Sequence, residues 1–384
     1  MTLAPLSHPV YVMAKPVGSV CNLACRYCYY LGRGTTQVMT DQLLETFVRQ
    51  YIEMQTSPDV LFTWHGGEPM LAGLDFYRRA VRLQRIYANG HHIDNALQTN
   101  GTLLTPEWCR FLHDEGWLVG ISIDGPQHLH DASRLTRRGK PTWEKVMHAI
   151  DLLERYQVEW NAMATVNAVN APHPIEFYHF FRNIGCHYLQ FTPVVEPETG
   201  SNVTAAAWGK FLCEVFDQWV RHDVGSIFVQ IFDATLAAWV GATPGVCTMA
   251  ATCGHAAVIE ADGTVYACDH FVDSDHRLGQ LRATEAGDPA PSLFQLLHSP
   301  QQQAFGRAKH DALPQQCRQC RWLFACHGEC PRGRNLNDCN GQPGLNCLCE
   351  GYKQYFNHVA PAMDFMRDQL AAGLPPANIM QFFG

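Results

Sequence analysis

The residues with the plainest chemistry in this 384-residue chain are Cys21, Cys25 and Cys28, in the run C-N-L-A-C-R-Y-C. Thiolates spaced C-x3-C-x2-C on one loop can hold three irons of a 4Fe–4S cube, because cluster ligands often sit a few residues apart. The fourth iron is then free to bind something else, as a catalytic metal keeps an open position. Spacing alone also allows a zinc knuckle missing one ligand, or three unrelated buried thiols. Eight more cysteines gather towards the other end: Cys247, Cys253, Cys268, Cys317, Cys320, Cys326, Cys330 and Cys349. They suit two further clusters with full protein ligation, with zinc ribbons as the competing reading.

The elements that must position these groups follow from periodicity. Strands are expected at Tyr11–Val17, Val60–Trp64, Ile93–Gln98, Val119–Ile123, Val158–Asn167 and Tyr188–Val195. Helices are expected between them at Asp41–Gln55, Leu74–Ala88, Pro106–Asp114, Thr142–Tyr156 and Pro174–Asn183. Thr40 precedes an acidic first turn, and Thr105-Pro106-Glu107 places a cap before Pro at the first helical position. Strands alternating with helices predict an α/β fold with a parallel sheet, here a partial or full barrel of about six units. Chemistry then belongs at the C-terminal strand ends. Beyond this lie a helix at Ala205–His222, an apolar stretch at Ile227–Val240 and a hairpin turning at Asp262-Gly263. Arg282–Pro291 reads as a loop and Tyr352–Ala371 as a final helix.

Composition narrows the class. At 47% hydrophobic residues the chain can bury a large core in two or more domains. The formal charge of −8, without a Lys/Arg block, argues against a nucleic-acid partner. No run of 18 apolar residues exists and the N-terminus lacks a basic, apolar leader, so neither a membrane span nor a signal peptide is expected. Cysteines in such a chain point to metal ligation in a reducing, cytoplasmic compartment, and no disulfide is expected. Cys109 and Cys213 read as small core residues; Cys186, Cys339 and Cys347 are left over, Cys347 competing with Cys349.

Three short loops follow predicted strands: His65-Gly66-Gly67-Glu68-Pro69, Gln98-Thr99-Asn100-Gly101 and Ser122-Ile123-Asp124-Gly125. Each alone is a tight turn. Together, beside the C-x3-C-x2-C loop, they form a constellation that resembles the radical S-adenosylmethionine enzymes. The resemblance implies a partial (β/α)6 barrel whose first cluster chelates S-adenosylmethionine. It places Gly66, Gly67 and Glu68 near the cofactor's methionyl amine, with Ser122, Arg134 and Val195 also binding the cofactor.

The later cysteines are similar to a SPASM extension carrying two auxiliary 4Fe–4S clusters, making three in all. That likeness implies Cys247, Cys253, Cys268 and Cys330 for one cluster and Cys317, Cys320, Cys326 and Cys349 for the other. It also implies a division into residues 1–240 and 241–384. Segments such as L-Q-T-N-G-T-L and Y-A-C-D-H-F are similar to anaerobic sulfatase-maturating enzymes. In that likeness Asp269 is the catalytic base, Tyr30 an active-site tyrosine, and Gln98 and His65 substrate contacts. His65 stands where those enzymes usually carry Gln, and His270 where they tend to an aromatic. Asp269 beside an anionic cluster is expected to have a raised pKa. The implied reaction is oxidation of Cys or Ser in a sulfatase segment (C/S-x-P/A-x-R) to Cα-formylglycine. A flavodoxin- or ferredoxin-like reductant would supply the starting electron. Other readings are a different SPASM peptide modification, and a non-catalytic electron carrier or zinc scaffold.

Overall fold

The computed structural model describes residues 11–196, 200–282 and 291–383. Six parallel strands come first: β1 (Tyr11–Ala14), β2 (Asp59–Trp64), β3 (His92–Thr99), β4 (Leu118–Ser122), β5 (Trp160–Val166) and β6 (Tyr188–Pro193). The helices between them are α1 (Asp41–Glu53), α2 (Leu74–Tyr87), α3 (Pro106–Asp114), α4 (Gln127–His130), α5 (Trp143–Arg155) and α6 (Pro174–Asn183). The expected caps are made: Thr40 accepts from Leu43 N and Thr105 from Trp108 N. β1 stops at Ala14, short of Val17, because Pro16 follows and has no N–H for a ladder.

Alternation along the strands explains why the sheet curls around a hollow. In β2, Val60, Phe62 and Trp64 are buried under the helices, while Leu61 and Thr63 stay half-exposed on the other face. In β5 the same holds for Trp160, Ala162, Ala164 and Val166 against Asn161, Met163 and Thr165. The outer face is therefore a dry core, and the inner face lines a partial barrel.

The apolar stretch after helix α7 (Ala205–His222) splits in two: a short strand β7 (Phe228–Val229) beside β6, then helix α8 (Gln230–Trp239). The hairpin forms as β8 (Ala256–Ile259) and β9 (Thr264–Tyr266), with Gly263 at φ +87° in its turn, followed by β10 (Arg277–Gln280). β8 pairs in parallel with β1, giving the order β10-β9-β8-β1-β2-β3-β4-β5-β6-β7. One sheet thus spans the expected division near residue 240. Most of the loop expected at Arg282–Pro291 lies outside the described residues. A long helix, Cys349–Ala371, closes the chain against α7, where Gly209 and Gly351 let the two backbones touch.

Candidate active site

The loop after β1 carries Cys21, Cys25 and Cys28 and is clasped from three sides. Asn100 Nδ2 donates to Asn22 Oδ1 at 2.9 Å, and Asn22 Nδ2 to Thr102 Oγ1 at 2.8 Å. Arg137 Nε donates to the Cys21 carbonyl at 2.7 Å, and Ala24 N to the Leu135 carbonyl. On the third side, the amides of Gly67 and Glu68 donate to the carbonyls of Gly18 and Val20, both at 2.8 Å. A Cβ on Gly67 would sit 2.1 Å from the Val20 oxygen, and Gly66 adopts φ +118°. The paired glycines therefore serve close contact with the cluster loop itself.

Glu68 is wholly buried and accepts from Met70 N, Thr99 Oγ1 and Asn100 N at 2.7–3.1 Å. Burial pushes its carboxyl up to about 7 against these donors. Its carboxylate staples the strand-end loops together.

Ser122 and Gln98 are brought together, with Gln98 Nε2 donating to Ser122 Oγ at 3.0 Å. The Gln98 amide lies over Gly120, where a Cβ would be 2.1 Å from Gln98 Oε1. Arg134 is buried, its Nε 3.0 Å from Asp124 Oδ2, and Tyr27 donates its hydroxyl to the same carboxylate. The guanidinium also faces Cys25 and favours its thiolate, although burial dominates and raises that thiol to about 12. Val195 follows β6, half-buried against the core.

Asp269 reaches this barrel end from the loop after β9. Lys15 Nζ lies 2.5 Å from its Oδ1, and Tyr29 donates its hydroxyl to Oδ2. Burial alone would raise the Asp269 carboxyl, but Lys15, His65 and His270 outweigh it and hold the group well below the usual carboxylate range. The expected upward shift is thus overturned by a cation that sequence adjacency did not reveal. Tyr30 does not touch Asp269. Its hydroxyl donates to Glu260 at 2.6 Å, while the Lys15 ammonium sits 3.5 Å above its ring. Lys15, Tyr29 and Glu260 are the site residues that sequence reading missed; the one available signal was a lysine, Lys15, at the end of a predicted strand. His65 is half-buried beside Lys15, Asp269 and His270, and desolvation of its ring lowers its pKa.

The Cys247 thiol lies close enough to Cys253, Cys268 and Cys330 to disfavour the thiolate of each. His270 Nδ1 approaches Cys330 Sγ at 3.8 Å, and Arg332 bridges Glu196 beyond β6 to the His270 carbonyl. Cys317, Cys320, Cys326 and Cys349 line one cavity with Trp322, Leu323, Leu345 and Phe356; Cys347 is not part of its wall. Burial raises Cys268 and Cys326 to about 12 and Cys349 to about 11, so these thiols ionise only when a metal binds them. Among the described residues, no three His, Cys, Asp or Glu side chains close on a point where a single ion would sit. Thiols ranged around a cavity fit a cluster better than the ~2.3 Å bonds of a zinc tetrahedron.

A parallel partial barrel with a cysteine-bearing loop after its first strand, joined to a second cysteine-rich segment, defines a radical S-adenosylmethionine enzyme with a SPASM domain. The family descriptions agree: Radical SAM superfamily over residues 16–181 and Iron-sulfur cluster-binding domain over residues 251–321. The chain is 51% identical to a serine-type anaerobic sulfatase-maturating enzyme of Bacteroides thetaiotaomicron, over 99% of this chain and 96% of that one. It is 31% identical to a cysteine-type counterpart from Clostridium perfringens, over 92% and 97%. A solved structure, native anSMEcpe with bound AdoMet and Cp18Cys peptide, matches with TM-score 0.86 and 30% identity over 94% of this chain and 100% of that one. The chain belongs to the anaerobic sulfatase-maturating enzyme family.

Proposed function

We propose that this protein oxidises a Ser or Cys side chain of a sulfatase polypeptide to Cα-formylglycine without oxygen. The observation that carries the reading is the meeting of Asp269, adjacent to the cluster cysteine Cys268, with Lys15 at the catalytic end of the barrel. Serine stands first as the target, since the serine-type relative shares 51% identity and the cysteine-type one 31%.

When bound, S-adenosylmethionine and the open-iron cluster supply a 5′-deoxyadenosyl radical able to take a hydrogen atom from the target Cβ. Cys21, Cys25 and Cys28 would hold that cluster, and the 65–68 loop, Ser122, Arg134 and Val195 would border the cofactor. Gln98, bonded to Ser122, would meet the substrate beside it. Asp269 accepts the hydroxyl or thiol proton, and Lys15 keeps it ionised to do so. Loss of one further electron gives the aldehyde from serine and a thioaldehyde from cysteine, which water hydrolyses to the aldehyde with release of sulfide; Cys268 would hold an auxiliary cluster able to take that electron. Tyr30 supports Glu260 and the Lys15 ammonium rather than the base itself. A flavodoxin- or ferredoxin-like donor and a cytoplasmic setting complete the reading; no helix among the described residues is long and apolar enough to cross a membrane. The division near residue 240 falls just after α8.

The test is anaerobic incubation of reconstituted enzyme with reductant, S-adenosylmethionine and a sulfatase peptide carrying Ser or Cys. Aldehyde mass together with 5′-deoxyadenosine supports the reading; neither product, from enzyme holding all its iron, rejects it. Asp269→Asn should keep cofactor cleavage and lose aldehyde by ~10²–10⁴-fold, the range of a general base.

A further inference from the structure

Two cations stand among the later cysteines, and they differ in reach. Lys309, on the helix Pro300–Asp311, is 1% exposed and donates to the carbonyls of Cys247 and Thr248 at 2.7 and 2.8 Å. Those contacts serve the Cys268 set alone. Arg334 is half-buried and turns its guanidinium onto His327-Gly328-Glu329, the segment joining Cys326 of one set to Cys330 of the other. Its Nε donates to the Gly328 carbonyl at 2.9 Å, and its Nη2 to those of His327 and Glu329 at 2.9 and 3.2 Å. Its Nη1 donates to the Lys309 carbonyl at 2.6 Å. One head group thus takes every carbonyl of the three residues between the two sets. The segment it holds is conformationally costly. His327, Gly328 and Glu329 all adopt positive φ, at +46°, +71° and +58°. Two of the three carry a Cβ, and such a run persists only where its surroundings over-determine it. The charge reaches as far as the hydrogen bonds do. Burial raises the thiols of Cys253 and Cys317, one from each set, and Arg334 draws both back towards the thiolate. Lys309 does so for Cys247 and Cys253, both of the Cys268 set.

We infer that Arg334 is a cation shared by the two auxiliary clusters, a positioning residue that raises the reduction potential of both together. The assignment rests on the two cysteine sets being the auxiliary cluster sites of the proposed reaction. Cluster potentials respond to nearby charge and to solvent exposure. A guanidinium keeps its charge in a protein, and a fixed positive charge away from water favours the more negative, reduced form of a cluster. Arg334 acts on each set, so it makes both better acceptors for the electron that the substrate gives up. Lys309 acts on the Cys268 set and so widens or narrows the gap between them. The electron is the one released in the proposed reaction, and no further reactant is involved.

The experiment is a redox titration of the reconstituted full-length enzyme, followed by electron paramagnetic resonance. Added S-adenosylmethionine marks the signal of the first cluster, and Cys349→Ala marks that of the Cys326 set. Arg334→Gln should lower both auxiliary potentials, each by at least tenfold in the reduced-to-oxidised ratio, ~59 mV for a one-electron couple. Lys309→Met should lower the Cys268-set potential by a similar factor and leave the other where it was. Arg334→Lys keeps the charge and loses the fork, so both potentials should stay near wild type while the melting temperature falls. With a sulfatase peptide, Arg334→Gln should form about tenfold less aldehyde per 5′-deoxyadenosine, and Arg334→Lys should recover most of it. A clamp with no electrostatic role predicts lower melting in both Arg334 variants with both potentials unmoved, and that result overturns the inference. Equal movement of both clusters in Lys309→Met also overturns it, and this arm stands even where Arg334→Gln loses its iron. Potentials that shift as described in an enzyme whose wild type forms no aldehyde would uphold Arg334's role and count against the proposed reaction.

Discussion

Lys15 Nζ lies 2.5 Å from Asp269 Oδ1 with the lysine side chain wholly out of solvent, and 3.7 Å from Glu260 Oε1 on its other side. One ammonium from β1's end therefore holds two carboxylates from the later cysteine-rich segment. It is both a weld between the two halves of the chain and the reason Asp269 stays ionised where burial would protonate it. Removing one partner of such a pair leaves an uncompensated buried charge, at a cost of ~3–5 kcal/mol. Lys15→Met should lower the melting temperature and reduce aldehyde formation at least about tenfold, while cofactor cleavage continues. Lys15→Arg should recover part of the activity. An unchanged product rate in Lys15→Met would show that the pair does not serve the chemistry.

Gly67→Ala tests the contact between the strand-end loop and the cluster loop. Its Cβ would meet the Val20 oxygen at 2.1 Å, and backbone on both sides leaves no flexible side chain to yield. The first cluster should be lost while the two auxiliary clusters remain. Iron per chain would fall by about one third, one cluster of three. Full iron content in the variant would show that the loops can part without harm.

Cys347 and Cys349 can be separated by the same assay. Only Cys349 lines the cavity with Cys317, Cys320 and Cys326. Cys349→Ala should lose iron from that auxiliary cluster, and Cys347→Ala should keep it. The reverse result would exchange their roles.

Glu68 gives a pH signature. Burial lifts its carboxyl from 4.5 to about 7, so between those values the folded chain holds a proton that the unfolded chain has released. Stability from this group is greatest below pH 4.5 and falls as pH rises through 7, by about 3 kcal/mol at ~1.4 kcal/mol per unit. Glu68→Gln cannot ionise. Measured against wild type by thermal melting, its relative stability should improve from pH 5 to pH 8. A constant difference across that range would mean that Glu68 does not change charge on folding as described.

Much of the fold was legible because it depends on near neighbours. Thr105-Pro106 starts α3 where expected, and Pro174–Asn183 and Ala205–His222 match their helices end to end. Apolar alternation placed every barrel strand, and Asp262-Gly263 placed the hairpin turn. The errors are at β1, where Pro16 ends the strand early, and at 227–240, where one apolar run serves both a strand and a helix. An apolar run of this kind does not by its period alone tell strand from helix.

The site divides differently. Cysteine spacing and the strand-end loops determined, from sequence alone, the type of chemistry and the end of the barrel where it belongs. Only the tertiary structure decided who stands beside whom. Glu68 turned inward to staple loops, Arg134 paired with Asp124, and Tyr29 rather than Tyr30 took the bond to Asp269. Ligand spacing and helix caps are local, set by bond lengths over a few residues. The charge state of Asp269 is set by whichever cation folding brings to it, and Lys15 arrives from the far end of the chain only when β8 pairs with β1.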